Sequence, residues 1–150
     1  MAKDQFSTIV NDTLPSMLDK LKRCDLHDRL YEFPKNGGIY VFYEKKKPIY
    51  VGRTDNLKRR IREHGQPGAH PNTASFAFRL AREIVKEDNK ISAIEFNNKY
   101  ASIFTSQKLR VAKMTIKYVE VKDCIVQSIL EVYVHIHLKT KKEHNDFCNH

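Results

Sequence analysis

The 150-residue chain has no tryptophan, only five glycines, five prolines and three cysteines, and fewer acidic than basic side chains (18 against 27). So little glycine and proline excludes collagen-like and linker-rich architectures, and leaves the chain punctuated at a few places only. Cys24, Cys124 and Cys148 are odd in number and widely spaced, which argues against a disulfide framework and fits a reducing compartment. Cys24 and Cys124 are expected to serve as small buried hydrophobes. No apolar run is long enough to span a bilayer, so no membrane partner is expected. The start, Met1-Ala2-Lys3-Asp4-Gln5, lacks the apolar stretch of a secretory signal, and the expected location is cytoplasmic. Seven histidines match no zinc-ligand spacing. With no repeat, low-complexity tract or linker, one domain is expected, in which residues 1–34 form a helical extension packed on a core of 35–150.

The basic excess is concentrated. Between Glu44 and His64 stand eight basic and three acidic residues, a local charge of +5 out of the chain's +9. Clustered cations of this kind form an electrostatic footprint for phosphate. They sit beside two tripeptides, Gly38-Ile39-Tyr40 and Tyr50-Val51-Gly52, in runs of β-branched and aromatic residues joined by Glu44-Lys45-Lys46-Lys47. That pattern predicts a hairpin. Gly38 and Gly52 lack side chains where strands should carry them, which marks close approach by backbone or substrate.

Helical spacing extends over Phe6–Phe33, with Pro15 as a first-turn residue, until the breakers of Pro34–Gly37. Thr54 or Asp55 is the expected N-cap of a helix beginning near Asn56. On it Leu57 and Ile61 face inward, Arg60 and His64 share the adjacent strip, and Lys58, Arg59 and Arg62 point to solvent. Gly65–Thr73 reads as a loop and Ala74–Lys86 as a helix. Ile91–Tyr100 fits either a strand or a continued helix, and Thr105–Ala112 a short helix. Thr115–Val121 alternates as a third strand. Asp123 caps an apolar stretch, Cys124–Leu138, expected to be a largely buried helix.

The two tripeptides, followed by Asn56-Leu57-Lys58-Arg59-Arg60-Ile61-Arg62-Glu63-His64, with Glu131 and Asn145 further on, resemble the signature of the GIY-YIG endonuclease family. Five elements in the family's order make this far more specific than one tripeptide. The resemblance implies an α+β fold, with a small, mainly antiparallel three-stranded sheet (near 38–43, 48–52 and 115–121) flanked by helices. It also implies hydrolysis of DNA phosphodiesters by water attack, leaving 5′-phosphate and 3′-hydroxyl ends; RNA stays open as a substrate, and a binding module that has lost catalysis is the alternative. Under the resemblance Glu131 is the protein ligand of one divalent ion, Mg²⁺ or Mn²⁺, which retains much of its hydration. Arg60 clamps phosphate. Tyr40 is the general base, Tyr50 faces the same pocket, and His64 assists Tyr40 or meets phosphate. Arg53 and Lys58 join Arg60 and His64 as nucleic-acid contacts. Asn145 anchors the pocket, with Asn149 competing for that place.

The residues also admit plainer roles. Glu131 suits a single exposed stripe of its helix, the tyrosines suit core packing, and His64 suits a helix end. A free phenol, with a pKa of about 10, is a poor base at neutral pH and needs nearby cations. The Met1–Phe33 segment and the stretch around Asp88–Lys113 depart from a minimal core. Neither names a target.

Overall fold

The computed structural model describes residues 4–86, 90–141 and 144. Its centre is a three-stranded antiparallel sheet of β1 (Gly38–Glu44), β2 (Lys47–Thr54) and β3 (Thr115–Glu120), in the order β2-β1-β3. The α+β expectation holds. Strand β1 is central, and its side chains alternate between two cores because successive Cβ atoms point to opposite faces. Tyr40 and Phe42 enter one core with Tyr50, Leu57, Ile61 and Phe76. Ile39, Val41 and Tyr43 enter the other with Leu14, Leu18, Val51, Leu130 and Val134. Helices α3 (Leu57–His64), α4 (Ser75–Ile84) and α5 (Ala93–Ala112) thus cover one face, and α2 (Leu14–Arg23) and α6 (Cys124–Leu138) the other.

The hairpin turn carries a local cost. Lys45 and Lys46 both have positive φ, 53° and 63°, where glycine or asparagine is the usual occupant. Beyond the turn the register slips between Phe42 and Tyr43, so that Tyr43 pairs with Pro48 and Ile49 is the extra residue.

The amino-terminal expectation needs correction. The helix comprises α1 (Gln5–Thr8), a π turn (Ile9–Thr13) and α2, and it ends at Arg23 rather than near Phe33. The π turn lies just before Pro15, which has no N–H to offer and crowds the carbonyl four residues back. From Cys24 the chain is extended, and His27 exchanges two backbone bonds with Ile116 (2.9 and 2.7 Å), covering the outer edge of β3. Leu30, counted on the helical stripe, is 85% exposed. Bonding to a strand residue 89 positions away overrode local periodicity.

This segment straps α3. Pro34 and Asn36 carbonyls accept from the amides of Lys58 and Leu57, Glu32 pairs with Lys58, and Arg29 donates to Arg62 O at the far end (3.0 Å). Lys58 is therefore tied to the strap rather than free in solvent. The N-cap of α3 is Asn56, whose side chain accepts from Arg59 N, while Thr54 Oγ1 accepts from Asn56 N.

The open choice over 91–112 resolves as one helix, α5, started by Ser92 and kinked at Tyr100. Its Lys108 is buried and donates to the carbonyls of Pro67 and Ala69, fixing the loop that leads into α4. Asp123 caps α6 as expected, through Ile125 N and Val126 N. That helix is less buried than its composition implies: Gln127, Leu130 and Val134 face inward, while Ile125, Val132 and Ile136 are exposed. Cys124 is exposed and Cys24 partly so, against the expectation of buried thiols; Cys148 lies outside the described residues. Among the described residues no helix is long and apolar enough to cross a membrane.

Candidate active site

Tyr40 is placed by pairing. In the β1–β2 register it stands opposite Gly52, and a Cβ on Gly52 would lie 2.3 Å from the Tyr40 ring and its oxygen. The absent side chain is what lets the phenol lie across β2, toward the sheet edge that no further strand covers among the described residues. Gly38 has a different reason: a Cβ there would lie 2.2 Å from Val119 O of β3, a backbone atom with little room to move. One motif glycine makes room for the Tyr40 phenol and the other for strand packing.

The Tyr40 side chain is 1% exposed, and its oxygen lies 2.7 Å from His64 Nε2. His64 ends α3 and is completely buried among Tyr40, Phe42 and Tyr50. Burial, reinforced by the Arg60 charge, holds its pKa well below 6.5, so the imidazole is neutral at pH 7. Its Nδ1 has no hydrogen-bond partner among the described residues. A sealed histidine bonded to a tyrosine is placed to exchange a proton with that tyrosine, not to meet a phosphate.

Burial, with Tyr50 adding, holds the Tyr40 phenol well above 10, while the Arg60 guanidinium pulls the other way. Tyr50 is likewise raised by burial and opposed by Arg60. Arg60 itself loses to burial but gains from both phenols and stays charged. It comes one turn before His64, on the same strip of α3. Its guanidinium donates to Thr73 O (2.7 Å) and Ser75 Oγ (3.1 Å) and pairs with Glu63 (3.3 Å). Helix α4 thereby enters the site. Phe76 stacks on Tyr50 at 4.4 Å, and the Arg79 charge also acts on Tyr50. Sequence reading missed Ser75, Phe76 and Arg79, since nothing in the tripeptides points to a helix beyond a proline-containing loop.

Glu131 reaches the same cluster from the other layer, on α6. Its side chain is 18% exposed, and Arg53 Nε, from β2, donates to Oε2 at 3.1 Å. Burial raises the carboxyl above 4.5 and Arg53 lowers it. Its charge also acts on both phenols. The sequence placed Glu131 and Arg53 on separate lists; the fold makes them a pair. One turn earlier, buried Gln127 donates to Val121 O (2.6 Å) and fixes the helix against the end of β3.

The remaining expected site residues divide. Lys58 is engaged by Glu32, and Asn145 and Asn149 lie outside the described residues. Neighbouring His144 is buried rather than a solvated terminal residue: Nδ1 donates to Ile49 O (3.2 Å), and Nε2 lies 2.9 Å from Glu83. Among the described residues no group of three or more His, Cys, Asp or Glu could hold a metal ion. A bound ion would have Glu131 for its carboxylate. That donor fits: a hard oxygen, partly desolvated, with Oε1 engaged by no hydrogen bond among the described residues.

The chain is similar to known proteins. The family model of the GIY-YIG catalytic domain matches residues 36–121. UvrABC system protein C of Dictyoglomus thermophilum is 42% identical over 38 residues, 25% of this chain and 6% of that protein. The chain thus spans a small part of that relative's length. Among solved structures, two point mutants of the GIY-YIG N-terminal endonuclease domain of UvrC from Thermotoga maritima, each bound to its catalytic divalent cation, align over 90% of this chain and 97% of theirs. Both have a TM-score of 0.42, at 15% and 14% identity. On the family match over more than half its length, this chain belongs to the GIY-YIG catalytic domain family.

Proposed function

We propose that the chain hydrolyses DNA phosphodiesters at the cluster of Tyr40, Arg60, His64 and Glu131, leaving 5′-phosphate and 3′-hydroxyl ends. The observation that carries this reading is the buried Tyr40–His64 hydrogen bond, set between a guanidinium and a carboxylate. Water attack on phosphorus requires a proton acceptor. As Tyr40 Oη takes the proton from water, its own passes to His64 Nε2, 2.7 Å away, in the tautomer with hydrogen on Nδ1. The balance is a neutral phenol before and after, with the proton moved to the imidazole. Arg60 favours phenolate character and disfavours imidazolium, so charge on the imidazole is brief. Arg60 also offers a fixed fork of donors to the phosphate oxygens that gain charge. Tyr50, clamped by Phe76, walls the pocket.

Glu131 would hold one divalent cation, Mg²⁺ or Mn²⁺, with water and phosphate completing its shell. When bound, the ion supplies Lewis-acid stabilisation of the leaving oxygen. Arg53 neutralises Glu131 when no substrate is present, and on binding it can turn to a phosphate, since its side chain is 47% exposed. A cytoplasmic location accords with this reading.

Plasmid nicking in the presence of Mg²⁺ or Mn²⁺, followed by end analysis, tests it. Tyr40→Phe is expected to lower the rate at least ~100-fold, the scale of general-base catalysis. Full activity in that variant, or products with 3′-phosphate, would reject the mechanism. The rival reading, binding without cleavage, draws on Arg60 being held by Thr73 and Ser75. It predicts salt-sensitive DNA binding and no cut with either metal.

A further inference from the structure

Outside the cluster a cationic cleft of about 660 Å³ lies at the hairpin end of β2, bounded by the second half of α4 and the end of α6. Its floor is apolar, made by Ile49, Leu80 and Ile84. Five cationic side chains line it against one carboxylate, Glu83. Both oxygens of that carboxylate are taken, by Lys141 (3.3 Å) and His144 (2.9 Å). Arg110 is occupied by Glu44. Among the described residues Lys47, Lys86 and Lys139 enter no ion pair. Like charges gathered round a hollow repel one another, and an anion relieves that repulsion.

The cleft is joined to the active site by three elements. Tyr50 stacks on Phe76 at 4.4 Å, and Phe76 lies 5.6 Å from His144, which lines the cleft; one ring separates the two. On α6, Gln127, Glu131 and His135 follow at four-residue steps, and His135 bonds Thr140 of the cleft wall (2.6 Å). Lys139 comes eight residues after Glu131, about 12 Å along the axis at ~1.5 Å per residue. On β2, Lys47 and Ile49 of the cleft immediately precede Tyr50.

We infer that this cleft is a second phosphate subsite, in which Lys47, Lys86 and Lys139 hold backbone phosphates of the strand leaving the active site. One strand carries a charge about every 3.4 Å of duplex axis, so a separation of ~10–12 Å places the subsite about three phosphates to one side of the cut. The apolar floor suits the sugar or base of the same strand. The footprint is therefore one-sided: strand must extend past the cut on the cleft side to gain this contact. The inference rests on the nuclease reading of the neighbouring cluster.

Binding of a 30-base-pair DNA duplex in EDTA, where no metal supports cleavage, is measured by anisotropy across a KCl series. Three proteins are compared: wild type, Lys47→Gln/Lys86→Gln/Lys139→Asn, and Lys20→Gln/Lys22→Gln/Arg23→Gln as a control with the same charge change on α2. Asparagine is used at 139 because that residue has φ 57°. The cleft variant is expected to lose about 2.7 from the magnitude of the log K against log [salt] slope, about 0.9 for each phosphate contact. The α2 variant keeps the wild-type slope, and all three share one melting temperature. A cleft-variant slope within 0.5 of wild type, or equal losses in the two variants, overturns the subsite. If wild type neither binds nor nicks DNA, the nuclease reading falls first and the subsite with it. If wild type nicks DNA and the two variants match, the subsite alone falls.

Discussion

At the scale of single residues, the cluster sets neutral groups close to charged ones in a dry setting. His64 shows this through stability. Its folded pKa lies well below the 6.5 of the unfolded chain, so below pH 6.5 the unfolded state binds the extra proton. Stability from this residue is complete above pH 6.5 and falls as the pH drops toward the depressed folded value, at up to ~1.4 kcal/mol per pH unit. Thermal melts from pH 7 to 5 should therefore show a steeper acid loss in wild type than in His64→Gln; parallel curves would place the imidazole in water. Glu131 has the opposite sign. Its carboxyl is raised above 4.5, so stability lost to burying the charge returns as the pH falls through that raised value. Gly52→Ala is the steric test. The new methyl must displace the Tyr40 phenol, at an expected ~1–3 kcal/mol of stability. The nicking rate should fall at least as far as in Tyr40→Phe. The motif residues were legible in the sequence because glycine, tyrosine and arginine at these offsets match the GIY-YIG signature, and Gly38 and Gly52 also have a steric reason in the sheet. The Arg53–Glu131 contact was not, because it joins β2 to α6, which only the folded layers bring together; the Tyr40–His64 link was implied by the family resemblance, and the fold supplies its geometry.

At the scale of elements, the sheet was legible from the alternation in β1 and β3, and α3 and α6 from spacing and caps. The N-terminal helix was overextended, since Leu26 and Leu30 keep helical spacing while His27 is claimed by β3. Composition likewise overstated the burial of α6, whose apolar residues are distributed round the helix rather than on one stripe. The strap over α3 and the α5 clamp on the loop to α4 give the two departures from a minimal core a structural role: both hold the elements that carry Arg60, His64 and Ser75. Lys108→Met removes the donor to two loop carbonyls and should cost ~1–3 kcal/mol in urea unfolding. The hairpin turn gives a change of opposite sign. Lys46→Gly relieves a positive-φ lysine and should raise stability by ~1 kcal/mol, read as a higher urea midpoint with an unchanged slope. A fall would mean that the lysine side chain makes a contact outweighing its backbone strain.

At the scale of the whole molecule, the sheet divides two cores, and the candidate groups come to β2 from both layers: Tyr40, Arg60 and His64 from one, Glu131 from the other. Neither layer has a complete site. The basic excess near this strand attracts nucleic acid, but charge alone serves binding and cleavage equally. Glu131 separates them. The most direct measurement compares wild type with Glu131→Gln in two assays on the same DNA: nicking with Mg²⁺ or Mn²⁺, and anisotropy binding in EDTA. The expected result is metal-dependent nicking by wild type, at least ~100-fold slower nicking by the variant, and binding equal or tighter in the variant, since Arg53 is released toward phosphate. Equal nicking by the two proteins would contradict the assignment of Glu131 and, with it, the site as described.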